Sequence, residues 1–381
     1  MKKYLFLISI LALFAVISCS TSDKKDEKSN SQQTSTEEKI ETPAQTEPAP
    51  APEKNLEAPA QTEPEPAPEE AAKPEEKQMF AHQTTDENAP IVYFIKDISP
   101  ESLVKAFDAL GWTPTGKTGV KISTGESEKS NHLRPALIKD LVQKINGTIV
   151  ECNTAYPGNR NTNKAHKNAL KQRGYLDIAP FDLLDEEGEM LIPIEGAKHL
   201  VKGDYVGTHF KNYDSYLILS HFKGHQMAGF GGAIKNLSIG FGSGTDVEHS
   251  GKIYIHSAGQ ATKGWVTAKQ VDFLESMAEA AKGVCQAMNG GKNIAFVNVL
   301  NRLSVDCDCN GNPAEPDMHD LGVLASLDPL AIDQASIDMV YAATDSKSLK
   351  KRIESRKGLH TLDYAAEIKL GNRNYRLVEI K

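Results

Sequence analysis

The sequence predicts an α/β fold: a largely parallel sheet, or sheets, with helices on both faces and room for two lobes around a cleft. Three observations point there. Strand-like apolar runs alternate with amphipathic helical patterns. Several of those runs are apolar throughout, as strands covered on both faces are. Polar, glycine-rich clusters follow the runs, where open parallel sheets place their ligands.

The elements follow in order. IVYFIKD at 91–97 reads as a strand, and Ser99-Pro100-Glu101 as a helix start with Ser99 capping and Pro100 in the first turn. GVKIS at 119–123 is strand-like, RPALIKDLVQKI at 134–145 has helical spacing, GTIVECN at 147–153 is strand-like and HKNALKQRGY at 166–175 is helical again. YLILS (216–220), IAFVNVL (294–300) and GVLAS (322–326) read as buried strands. AKQVDFLESMAEAAKGVCQAM (268–288) and PLAIDQASIDMVYAA (329–343) are the remaining helices, the latter with Asp328 as cap and Asp333 as a buried polar contact. NTAYPGNRN, HFKGHQMAG, NRLSVDCDCNGN and SLDPLAID each follow a strand run, and a parallel sheet would gather all four loops at one end.

This folded part is expected over 89–381. Ahead of it, Lys2 and Lys3 precede an apolar run from Tyr4 to Ile17, the pattern of an export signal spanning 1–18. Val16-Ile17-Ser18-Cys19 looks like a lipobox, which makes Cys19 the lipidation site and the membrane a partner through acyl chains. Residues 19–88 are rich in Pro, Glu, Ala, Thr and Gln and carry a tandem copy, PAQTEPAPAPE and PAQTEPEPAPE, the composition of a disordered tether. That stretch has seventeen acidic and seven basic side chains, so the chain's net charge of −8 belongs to it and 89–381 is close to neutral. With no basic block there, nucleic acid is not an expected partner. The expected location is the cell envelope on the non-cytoplasmic side, at the outer membrane in a Gram-negative host because Ser20 rather than Asp follows the cysteine.

The candidate chemistry concentrates in LSHFKGHQMAGFGGAIKN, 219–236. Gly229, Gly231 and Gly232 would let backbone N–H groups approach a ligand, and a helix start beyond them would favour an anion. Lys223 and Lys235 add charge, while His221 and His225 offer proton transfer or ligation. Arg134 and Arg160 are candidate anion clamps, with Asn153 beside the second. Asp306-Cys307-Asp308-Cys309 could hold a metal through Cys307 and Cys309, but residues spaced by one diverge when extended, and a solvated turn explains the run equally well. The cysteines lack ferredoxin spacing, and no nucleotide loop, Ser-His-Asp elbow or H-E-x-x-H run is present.

Several stretches together carry a family resemblance: LRPALIKDLV, NTAYPGNR, LSHFKGHQMAGFGGAIKNLSIG, HSG with HSA between 249 and 258, and LASLDPLAIDQASIDMV. In this order, from about 90 to 345, the chain resembles the family called domain of unknown function 362. Many of its members carry a ferredoxin-like insert after the His-Ser motif, whereas here His256-Ser257 runs straight into AGQATKGWVTAKQ. Because the chain departs from the family pattern there, no ferredoxin-type iron–sulfur cluster is expected in it. A more distant likeness, from His225 through Ala228-Gly229-Phe230 to Lys235, is to nickel-pincer lactate racemases. It implies an acid–base role for His225, a cofactor tether at Lys235 and a nickel ligand at His249 or His256. Two functions are expected from these readings. One is an envelope enzyme, of isomerase or oxidoreductase type, that binds a small anion or a metal-bearing cofactor. The other is a non-catalytic lipoprotein that holds a metal or small molecule for a partner.

Overall fold

The computed structural model describes residues 80–381 apart from Asp246, so the signal, Cys19 and most of the tether lie outside the described residues. The first half alternates as its pattern predicts: β1 (Ile91–Ile95), α1 (Pro100–Ala109), β2 (Thr118–Lys121), α2 (Pro135–Lys144), β3 (Thr148–Glu151) and α3 (Asn163–Gln172). β4 (Phe181–Leu183), β5 (Glu189–Ile192), β6 (Asp204–Gly207) and β7 (Ser215–His221) follow. Then come a hairpin of β8 (Lys223–His225) and β9 (Gly229–Gly231), and the helices α4 (Ala233–Leu237), α5 (Gly251–His256) and α6 (Gln270–Ala287). The chain continues as β10 (Ile294–Leu300), β11 (Gly322–Ser326), α7 (Pro329–Ala342), α8 (Lys347–Ser355), α9 (His360–Glu367) and β12 (Arg376–Glu379).

Eight strands form one sheet in the order β12-β1-β11-β10-β7-β2-β3-β4. Every neighbouring pair is parallel except those of β11, which runs against both β1 and β10. β7 and β10 are buried at every position. Their alternate residues feed opposite faces: Tyr216 and Ile218 pack with α4, α6 and α7, whereas Leu217 and Leu219 pack with α1 and α2. Burial on both sides explains why these strands read as continuous apolar runs. Among the described residues no helix is long and apolar enough to cross a membrane.

Two expectations change here. Because β11 is antiparallel to β10, the loop after it emerges at the opposite end of the sheet, and SLDPLAID does not join the other three loops. Asp328 instead caps α7, accepting from the Leu330 and Ala331 amides at 2.8 and 2.9 Å. Residues 80–88, given to the tether by composition, run along the domain. Phe80 packs on the core, Gln83 bridges to Tyr375, and the His82 amide donates to the buried Asp338 at 3.0 Å. A carboxylate inside the domain needs donors, and this segment supplies one.

Candidate functional site

The parallel strands β2, β3 and β7 end, respectively, on Lys121, Glu151 and His221, and all three side chains border one cavity of about 380 Å³. Three ionisable residues at the carboxyl ends of neighbouring strands cannot be explained by core packing. They mark the end of the sheet where parallel α/β folds bind ligands. The β8–β9 hairpin, α4, α5 and the loop after β10 complete the wall with Lys223, His225, Lys235, Lys252, Cys307 and Cys309.

The glycine-rich stretch is a hairpin rather than a loop poured onto a helix, and the helix start beyond it is already filled. The Ala233 and Ile234 amides at the head of α4 donate to Asp333 at 2.7 and 2.9 Å. Gly232 leaves the room that this carboxylate occupies. Asp333 also accepts from Asn298 at 2.8 Å, and burial raises its pKa to about 6 against those hydrogen bonds. The expectation of a ligand anion on these amides is thus overturned: the protein's own carboxylate sits there. Gly231 does face the cavity, beside the Lys235 and Lys223 side chains, but Gly229 does not line it. Its φ of +83° and its close approach to the backbone of Gly358 explain that glycine as a packed turn.

The cations around the cavity divide into two sets. Arg160 is held by Glu151 at 3.3 Å and Glu126 at 3.4 Å. Lys223 pairs with Asp308 at 3.1 Å, and the same carboxylate takes His221 Nδ1 at 2.8 Å while His221 Nε2 bonds the Asn301 carbonyl at 2.7 Å. Burial would raise the pKa of both Glu151 and Asp308, yet the His166 hydrogen bond at 3.1 Å and Arg160 hold Glu151, and Lys223 and His221 hold Asp308, well below the usual carboxylate range. The second set has no such partners. Among the described residues, no carboxylate is in ion-pair contact with Lys121, Lys235 or Lys252. Lys121 donates to the Ile122 carbonyl at 2.7 Å and to Asn236 at 3.0 Å, and Lys252 donates to the Gly242 carbonyl. Lys235 makes no hydrogen bond or ion pair with any described residue. Burial lowers the pKa of Lys121 to about 8 and lowers that of Lys235 too, the latter partly offset by the two thiols.

Those thiols converge because the chain turns. The Asn310 amide donates to the Cys307 carbonyl at 2.8 Å, and the Cys309 amide donates to Cys307 Sγ at 3.2 Å. Side chains one residue apart therefore meet instead of diverging, and within the turn Cys307 and Asp308 are buried while Asp306, Cys309 and Asn310 are half-buried. His225, Cys307 and Cys309 each bring one donor atom to within 4.8 Å of the others, close enough to hold a metal ion. The histidine tautomer works against that use for His225. Its Nδ1 accepts from the Met227 and Ala228 amides at 3.1 and 3.0 Å, so the neutral ring carries its proton on Nε2 and donates it to Cys307. The Cys309 thiol donates as well. Against burial, these donors and the Lys235 charge hold the Cys307 thiol well below its usual pKa, while the Cys309 thiol is pushed up.

His256 has the opposite tautomer. Its Nδ1 donates to the Lys252 carbonyl at 2.7 Å, leaving the Nε2 lone pair free, and burial drops its pKa to about 3. The ring stacks on Phe273 at 4.7 Å and meets the edge of Trp265 at 5.3 Å. His249 is elsewhere. It bonds Glu189 at 3.0 Å and stacks on Tyr205 at 4.9 Å, in a second group with Glu189 and Glu248 that could by proximity hold a metal but does not line the cavity. Arg134 is also outside, bonded to His132 at 2.9 Å and to the Ser130 carbonyl at 3.1 Å. Asn153 is a buried brace between Asn163 at 2.6 Å and His166 at 3.2 Å. Of the residues expected to bind, Arg160, His221, Lys223, His225, Gly231, Gly232, Lys235, His256, Cys307 and Cys309 meet at the cavity. Lys121, Glu151, Lys252 and Trp265 were not foreseen. The first two had a signal, a charged residue inside an otherwise apolar strand.

The fold and site define an α/β protein with a cation-rich cavity at the carboxyl edge of a mainly parallel sheet. The family described as domain of unknown function (DUF362) matches residues 118–338, more than half of the chain, and the chain belongs to that family. No curated protein matches it in sequence. Among solved structures it is similar to the lactate racemase apoprotein from Thermoanaerobacterium thermosaccharolyticum, at 14% identity and a TM-score of 0.34 over 55% of this chain and 50% of that one. A second similar structure is a protein from Thermotoga maritima, at 11% identity and a TM-score of 0.32 over 68% and 58%. The matched part thus spans half the length of the first and 58% of the second, and likenesses this slight carry no argument about chemistry.

Proposed function

We propose that the chain is an envelope lipoprotein, anchored through Cys19 outside the cytoplasm, whose domain binds a small organic anion in this cavity and transforms it as an isomerase- or oxidoreductase-type enzyme. The lipobox and export signal support the anchoring. One observation supports the anion: three lysine ammonium groups, on Lys121, Lys235 and Lys252, border one cavity without a carboxylate partner among the described residues. Lys121 and Lys252 are buried and Lys235 is half-buried; ammonium groups withdrawn from water and left unpaired cost free energy, and a carboxylate or phosphate entering the cavity would offset that cost. His225, donating through Nε2, and Lys235, unpaired, are placed to handle protons on such a ligand.

The same chemistry serves if the anion belongs to a cofactor. The residues fit one covalently held at Lys235, whose amine is unengaged, with His256 offering a nitrogen lone pair to any metal carried by that group. Such a group would supply hydride or electron chemistry, while this chain's residues would hold and orient it. Intact-mass and native mass spectrometry of protein purified from its own host test the reading. Expected is a bound anion, or an adduct localised to Lys235, that disappears in Lys235→Met. A parent protein that neither carries nor binds any anion, together with a Lys235→Met variant that loses much of its stability, would overturn it. A ligand carried but never altered would leave the non-catalytic binding protein instead.

A further inference from the structure

We infer that the anion is amphipathic, with an acidic head group among Lys121, Lys235 and Lys252 and a short apolar chain leaving past Ile239, Met227 and Trp265. This rests on the anion reading above and adds the class of molecule. The cavity is charged at its most buried end, and of its three exposed lining residues, Gln226, Met227 and Trp265, two are apolar. Lys121 and Lys252 are 2% and 8% exposed, whereas Met227 and Trp265 line the same cavity at 44% and 51% exposure. Ile239 lines it between these extremes in character, apolar and 8% exposed.

Half-exposed large apolar residues are scattered over the described surface, but Met227 and Trp265 share one opening, with Val266 adjoining at 41% exposure. Met227 belongs to the β8–β9 turn and Trp265 to the irregular segment between α5 and α6, so two separate parts of the chain bring apolar side chains to one rim. Among the described residues Trp265 donates no hydrogen bond from its indole, and its one ring contact is the T-shaped one with His256, itself a lining residue. Trp112, by contrast, is tied down by a 3.0 Å bond to the Lys292 carbonyl and by packing on Phe107. An indole kept at a cavity mouth without a core to join is explained by a ligand that covers it. A small hydrophilic anion would leave this rim unused.

The test is calorimetric titration of the protein with inorganic phosphate and with ethyl, butyl, hexyl and octyl phosphate, alongside 1-hexanol. Affinity should rise about two- to fourfold per methylene until the chain clears the mouth. Trp265→Ala should flatten that slope, weakening octyl phosphate far more than inorganic phosphate. The side chain is half exposed, so the substitution spares the core. If all the phosphates bind alike, the amphipathic inference is overturned and the anion reading stands. If 1-hexanol binds as tightly as hexyl phosphate, the anion reading fails while the apolar channel remains. No binding by any of these probes overturns both.

Discussion

Two clusters of charge in this domain look alike in sequence and differ in kind. Around α6, Glu279 accepts from the Lys198, His199 and Leu200 amides at 2.8, 3.0 and 2.8 Å and from the Tyr364 hydroxyl at 2.9 Å. One turn earlier, Glu275 takes Lys198 at 2.8 Å, His199 at 2.7 Å and His360 at 3.0 Å. Every group has a partner, and the cluster ties the segment before β6 and α9 to the longest helix. At the cavity the arithmetic does not balance: Lys121, Lys235 and Lys252 remain after Arg160, Lys223 and His221 have taken the available carboxylates. A satisfied network is explained by folding alone, whereas an unsatisfied one borders a space for something else.

The comparison makes Glu279→Ala the most destabilising change. It strands three backbone amides, of which Leu200's is buried, and the buried Tyr364 phenol, and should lower stability by about 3–5 kcal/mol while leaving anion binding per folded molecule intact, as denaturant midpoints and calorimetry would read. Asp204 tests an unpaired charge of the other sign. Burial raises its pKa to about 7, so its favourable contribution is complete below the unfolded value near 3.8 and is lost as pH climbs through about 7. Asp204→Asn should therefore match the parent near pH 4 and exceed it at pH 8, by at most about 4 kcal/mol. Equal midpoints at both pH values would mean that the carboxylate has a compensating partner. Lys235→Met keeps the aliphatic stem and removes the ammonium, so stability should change by less than about 0.5 kcal/mol or rise. Anion affinity should fall about tenfold or more. A loss near 3 kcal/mol would place Lys235 with the α6 cluster as a structural charge.

The sheet was legible because periodicity reports burial: YLILS and IAFVNVL lack alternation, and both turned out covered on two faces. Orientation was not. Nothing in GVLAS reveals that its strand runs backwards, so a fourth loop was assigned to the wrong end. At the site, His225 and Lys235 were legible as residue types clustered after a strand. The filling of the α4 head by Asp333 was hidden, because that carboxylate comes from a helix about a hundred residues away. Spacing alone leaves open whether Cys307 and Cys309 diverge along an extended chain or meet at a metal, and only the turn closed at Asn310 brings them together. Arg134 illustrates the converse: a guanidinium matches a carboxylate in type, yet this one is occupied by its own neighbourhood.

The smallest change in the molecule tests the cavity's electrostatics most directly. Cys152 and Cys285 are buried thiols whose pKa values rise to about 12, while Cys307 is held well below the usual thiol value by Cys309, His225 and Lys235. A depressed pKa means that the thiolate persists as pH falls below 9, whereas the two raised thiols stay protonated throughout the neutral range. Brief treatment with iodoacetamide near pH 6.5 should then modify Cys307 first, as peptide mapping by mass spectrometry would show. His225→Ala and Lys235→Met should each slow that reaction, since each removes a donor or a positive charge facing the sulfur. Iodoacetate, which carries its own negative charge, should gain on iodoacetamide in the parent protein and lose that advantage in Lys235→Met. Modification of Cys309 before Cys307, or rates unaffected by either substitution, would show that the charges around this cavity do not act on the thiol, and the contrast with the closed α6 network would lose its chemical content.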